Sequence, residues 1–108
     1  MKKSIEERAL KFGVEVFKVC RTIQKKENEY IITKQLIRSS SSIGANNFEA
    51  RYAVSKADFI NKKSISLKET YESIYWLRFM KEADLLKADQ FESFYDEAKQ
   101  IRKIISSI

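Results

Sequence analysis

The stretch IRSSSSIGANNFEAR, Ile37–Arg51, decides the fold. Four consecutive serines, a glycine and two asparagines are poor helix-interior residues. Ser and Asn offer the backbone competing hydrogen bonds, and Gly gives up the most entropy on ordering. Taken alone they read as a loop, but their register says otherwise. Leu36, Ser40, Ile43, Asn47 and Ala50 step by four and three and share one helical face. Gln35, Ser39, Ser42, Asn46 and Glu49 form the adjoining stripe. A loop has no reason to keep that period. The segment is expected to be an unbroken helix whose small residues, Ser39–Ser42, Gly44 and Ala45, let a neighbouring helix come close.

The same period runs outward in both directions. Before it, Ser4-Ile5-Glu6-Glu7 has the pattern of a capping box. Ile5, Ala9, Phe12, Val16, Val19 and Ile23 then keep one face apolar, and KKENE, Lys25–Glu29, reads as a connector. The serine-bearing helix is expected from near Ile32 or Thr33 to about Tyr52. Ser55-Lys56-Ala57-Asp58 caps a third helix reaching about Asp84. Asp89, with Glu92 three residues on, starts a fourth whose stripe is Phe91, Tyr95, Ala98, Ile101, Ile105 and Ile108. Short connectors between four long helices predict one domain, residues 1–108, folded as an all-α antiparallel up-down-up-down four-helix bundle.

Composition agrees. The 108 residues contain no Pro and two Gly, too little turn chemistry for a β-rich domain. No apolar run approaches the roughly 18 residues of a membrane span, and MKKSIEER turns acidic where a signal peptide needs its apolar segment. The one cysteine, Cys20, lies beside the helix 1 stripe and reads as a small buried thiol. A cytoplasmic chain is expected. There is no histidine, no phosphate-binding glycine loop and no cysteine cluster. Glu69 and Glu72 form an E-x-x-E, but the carboxylate sites of ferritin-like bundles add an E-x-x-H that this chain does not supply. Neither enzymatic activity nor a cofactor or metal is expected.

Three surfaces stand out. Leu10, Val14 and Phe17 form a second apolar row on helix 1, about half a turn from the first; one bundle cannot bury both, so this row is a candidate oligomer interface. The formal charge is +6, which is compatible with a polyanionic partner. Lys11, Lys18, Arg21 and Lys25 beside that row, with Lys99, Arg102 and Lys103 near the end of helix 4, are the candidate nucleic-acid-binding residues. Arg38, Asn46 and Glu49 are expected to form a structural polar cluster with Glu69 or Glu72 across helices 2 and 3. On helix 3, Phe59, Ile60, Leu67, Ile74 and Leu77 lie on one side and Ile65, Trp76, Phe79 and Met80 on the other, and the sequence leaves open which side is core.

The order R-x-x-x-S-I-x-A-N-x-x-E-A followed by S-x-x-D-F-I and K-E-x-x-E-S-x-Y-W-L, spanning Arg38 to Leu77, resembles the bacterial four helix bundle proteins, also called the 23S rRNA-intervening-sequence protein family. That resemblance implies an antiparallel four-helix bundle and, in several relatives, a ring of five subunits. The chain is also similar to the accessory protein of diversity-generating retroelements, a basic pentamer that binds nucleic acid and a reverse transcriptase. Two functions are therefore expected in competition. One is a homo-oligomer, a pentamer by resemblance, that binds RNA or DNA through its backbone and adapts it to a protein partner. The other is a protein-only scaffold.

Overall fold

The computed structural model describes residues 3–107; Met1, Lys2 and Ile108, the last of the helix 4 stripe, lie outside them. Four helices follow in order: α1 (Ile5–Glu27), α2 (Ile31–Arg51), α3 (Lys56–Glu82) and α4 (Ala88–Ser106). Each packs on its chain neighbours, α1 also closes on α4, and α1–α3 and α2–α4 are the diagonals. Connectors as short as 28–30, 52–55 and 83–87 leave no route except antiparallel packing. The longest extent, 44 Å, is close to the roughly 40 Å of a 27-residue helix such as α3.

With so little glycine, the chain turns on Asn and Asp. Asn28 ends α1 at φ 51 and Asp84 follows α3 at φ 60, the left-handed region these two side chains tolerate best after glycine. Ser4 and Ser55 cap α1 and α3, their hydroxyls accepting from the Glu7 and Asp58 amides at 3.1 and 3.0 Å. Glu29, which the sequence placed in the connector, caps α2. Its carboxylate accepts from the amides of Ile31, Ile32 and Thr33 at 2.8–2.9 Å. Partial burial disfavours its charge, but these donors outweigh that and hold Glu29 below the ordinary carboxylate value. The start of α4 differs from expectation. Lys87 is the N-cap, its amide donating to Gln90 Oε1 at 3.0 Å, and Asp89 already lies inside the first turn.

The core is Ala9, Phe12, Val16, Leu36, Ile43, Leu77, Met80, Phe91, Ala98 and Ile101 with their neighbours. Cys20 is buried within it, and burial pushes its thiol up to about 12, an inert side chain. The α2 helix is continuous through its serines. Ser39, Ser40 and Ser41 donate to carbonyls three residues back, and Asn46 and Asn47 to carbonyls four residues back. Hydroxyls and amides that bond carbonyls of their own helix are left with little to find on a neighbour, and Ser39 and Asn47 find it on α3. That is how a polar stripe can face a dry contact.

Close approach is realised against α1, reciprocally. A Cβ on Gly44 would meet the Ala9 and Leu10 backbone at 3.5 Å, and one on Gly13 would meet the Ser40 carbonyl at 3.4 Å. On α3 neither apolar side named from the sequence is the core side. The buried stripe is Ser66, Glu69, Thr70, Ser73, Leu77 and Met80, with Ile65, Leu67, Ile74 and Trp76 half-buried on its flanks. Small polar residues occupy the middle because α2 lies close there. Ser73 donates to Ser39 at 2.9 Å, and Ser66 to the Ile43 carbonyl at 2.9 Å.

Candidate functional site

The contact between α1 and α2 brings the backbones so near that large side chains cannot lie between them. They splay outward instead, forming an open groove of about 740 Å³. Leu10, Val14 and Phe17 form its α1 wall, Ile37 and Phe48 its α2 wall, and Gly13, Gly44 and Ala45 its floor. Leu10 is 66%, Val14 41%, Phe17 48% and Phe48 58% exposed. The surplus row read from the sequence is thus outside the core, and α2 extends it. Glu6, Glu7 and Arg51 stand at one end, where Arg51 lies 3.8 Å from Glu6.

A second apolar face lies on α3, turned away from the buried stripe. Tyr71, Tyr75 and Phe79 are about half exposed, with Arg78 and Glu82 beside them. Tyr75, Trp76 and Phe79 touch one another edge-on or tilted, with ring centroids 5.0–6.4 Å apart. This ridge is not among the surfaces expected from the sequence, although Tyr71, Tyr75 and Phe79 have the i, i+4, i+8 spacing of one helical face.

The candidate cations do not form one surface. Lys11, Lys18 and Lys25 recur every seven residues, the heptad spacing that keeps side chains on one side of a helix, and they and Arg21 are exposed. Lys11 stands 4.0 Å from Glu15, and Arg21 donates to Gln24 at 3.1 Å. Lys11 and Lys103 share the α1–α4 groove with Glu15, Asp96 and Glu97, so its charge is mixed. Lys99 and Arg102 do not line that groove. Lys99 lies over the Tyr95 ring at 4.6 Å and 3.9 Å from Asp96.

Part of the expected polar cluster comes together. Arg38 donates to Glu69 at 2.8 Å and also to Glu72, which accepts from Trp76 Nε1 at 3.0 Å. The indole and guanidinium donors hold the Glu72 carboxyl below its usual range. Both carboxylates are thereby occupied as structural acceptors. Asn46 and Glu49 are not members: Asn46 bonds only within α2, and Glu49 pairs with Lys62 at 2.9 Å. The reason is register. Moving forward on α2 moves backward on α3, so Arg38 faces Glu69 and Glu72, Ser39 faces Ser73, and Asn47 faces Ser66 and Lys63. Asn46 lies eight residues past Arg38, about 12 Å along the axis and out of reach of Glu69. The buried amide the sequence analysis left out of the cluster is Asn47, which bonds Ser66 at 2.6 Å and accepts from Lys63 at 2.8 Å.

No gathering of three or more metal-ligating side chains occurs among the described residues. No described helix is long and apolar enough to cross a membrane.

A family model described as 23S rRNA-intervening sequence protein matches residues 2–107. The chain belongs to that family. A crystal structure of a protein of unknown function, from the S23 ribosomal protein family of Bacteroides thetaiotaomicron, is similar to it. The two are 36% identical, the match covers 96% of each chain, and the TM-score is 0.93. No curated protein matches. In this member of the 23S rRNA-intervening sequence protein family, Arg38, Ile43, Glu69, Glu72 and Leu77 of the motif are engaged in the α2–α3 contact or the core. The motif residues therefore build the bundle, and the exposed groove and ridge lie apart from most of them.

Proposed function

We propose that this protein is a non-enzymatic homo-oligomer, a ring of five as the family resemblance implies, that holds nucleic acid by its phosphates and presents it to a protein partner. The observation that carries the reading is the exposed row Leu10, Val14 and Phe17, set in a groove and running beside Lys11, Lys18 and Lys25 on the same helix. Burying the row between subunits repeats the cations around the assembly, and weak phosphate contacts gain strength by acting together. Phosphate contacts carry no base information, so this binding is through the backbone and indifferent to sequence.

A second reading, a protein-only scaffold, is favoured by one specific feature: Lys99 is already engaged by Asp96 and Tyr95, and the Lys11–Lys103 groove contains three carboxylates. Fluorescence anisotropy with single-stranded RNA and with duplex, across about 50–300 mM salt, separates the two. The nucleic-acid reading expects the logarithm of the affinity to fall linearly with log salt, with a slope of about 0.7 per phosphate for single strands and about 0.9 for duplex. Replacing Lys11, Lys18, Arg21 and Lys25 with Gln lowers both affinity and slope. Replacing Lys34, Lys56, Lys81 and Lys87 with Gln removes the same net charge and has the smaller effect. No binding at low salt, or equal losses from both sets, would favour the scaffold.

A further inference from the structure

The exposed face of α3 carries rings and cations together. Lys68, Tyr71, Tyr75, Arg78, Phe79 and Glu82 are all exposed and fall within about 100° of one another around the helix. Tyr71, Ile74, Tyr75 and Phe79 line an open pocket of about 690 Å³ together with Arg78 and Glu82. The rings are held from behind. Trp76 meets Tyr75 and Phe79 edge-on, with centroids 5.0 and 5.7 Å away, and its Nε1 donates to Glu72 at 3.0 Å. Glu72 accepts in turn from Arg38, so the α2–α3 polar cluster orients this aromatic face. Edge-on contact keeps the rings from stacking on one another, which leaves ring faces to a ligand.

We infer that this face takes unpaired bases of single-stranded nucleic acid, which stack on Tyr71, Tyr75 and Phe79 while Lys68 and Arg78 hold the adjoining phosphates. Charge selects this occupant. Neither Lys68 nor Arg78 has an ion-pair partner among the described residues, and Glu82 is the single carboxylate of the six-residue face. Ring spacing selects the single strand. Successive rings are four residues, about 6 Å, apart along the axis, whereas bases in a duplex repeat about every 3.4 Å along each strand. Paired bases also have both faces covered by their neighbours, while unpaired ones can be splayed out onto aromatic side chains. Every base has such a face, so the contact is tolerant of sequence. Helices α1 and α3 are diagonal, which makes this site separate from the α1 cations.

The inference rests on the nucleic-acid reading above, and an abasic strand tests it separately. That probe has the same phosphates and no bases. Fluorescence anisotropy at one low salt concentration compares a single-stranded RNA, an abasic strand of equal length and a duplex. Wild type is expected to bind the RNA more tightly than the abasic strand. Tyr71→Ala and Tyr75→Ala are each expected to lose about 5- to 150-fold in RNA affinity, the range for one base–aromatic stack, with abasic and duplex binding unchanged. Tyr75→Phe keeps the ring and retains the affinity, and Glu82→Gln raises it. Trp76, the one tryptophan of the chain, should be quenched by the RNA and not by the abasic strand. Both alanine positions are exposed, so each variant is expected to keep the wild-type helical circular dichroism and light-scattering mass. Equal binding of RNA and abasic strand, or alanine variants with wild-type RNA affinity, overturns the stacking site and leaves phosphate binding standing. A changed mass in either alanine variant also overturns it, because the face is then a contact between subunits. No binding of any strand overturns both readings.

Discussion

Two adjacent asparagines allow the structure to be tested sharply. Asn47 is fully buried; its Nδ2 donates to the Ile43 carbonyl at 2.9 Å and to Ser66 Oγ at 2.6 Å, and its Oδ1 accepts from Lys63 Nζ at 2.8 Å. Asn47→Ala removes all three. The neutral bonds contribute about 1 kcal/mol each and the ammonium bond about 1.5–3 kcal/mol, while the better helix propensity of Ala returns about 0.5 kcal/mol. Ser66 keeps its own bond to the Ile43 carbonyl. Lys63, only partly buried, regains water, so the lower end of the range applies. The expected loss is about 3 kcal/mol, or roughly 12–20 °C in melting temperature for a domain of this size. Asn46→Ala gives up one bond within its own helix, at 2.8 Å to the Ser42 carbonyl, and Ala's propensity nearly offsets it. Its melting point should move by only a few degrees. Thermal and urea unfolding followed at 222 nm, at one fixed chain concentration so that the proposed self-association would weigh equally on both variants, measures both. Equal losses, or a larger loss at Asn46, would refute the register that places Asn47 between α2 and α3.

Acid should unfold this protein through particular carboxylates. The folded-state values of Glu29 and Glu72 lie below their unfolded ones, so their stabilisation is fully present above the unfolded value of about 4.3 and is lost as pH falls through the folded one. Urea unfolding should give constant stability from pH 7 to about 5.5 and a decline below, made shallower by Glu29→Gln; an unchanged acid slope would show that the α2 cap is not charge-dependent. Gly44→Ala places its Cβ at ordinary contact distance from the Ala9 and Leu10 backbone. It should be neutral or stabilise by up to about 1 kcal/mol, whereas Gly44→Leu overpacks the crossing and costs about 1–3 kcal/mol. Thermal melts of the two variants check both signs.

The chain's own residues determined the helices and their order. A four-three period survives interruption by serine because periodicity is a property of position, and Ser40 and Asn47 hold places in the stripe that Leu36, Ile43 and Ala50 define. The surplus row on α1 was legible for the same reason: one helix cannot turn both Phe12 and Phe17 inward. Tertiary structure alone decided which partners meet. The shift between α2 and α3 is set by packing between segments far apart in the chain, and it excluded Asn46 and Glu49 from the Arg38 cluster while admitting Asn47, Ser66 and Lys63. It also decided the core side of α3. A polar stripe became the buried one because hydroxyls can satisfy themselves on helix carbonyls while two backbones close together, and the aromatic residues too large for that contact were left outside. The groove has the same origin. Gly13 and Gly44 become its floor only when the two helices cross at them, a distance no residue carries by itself.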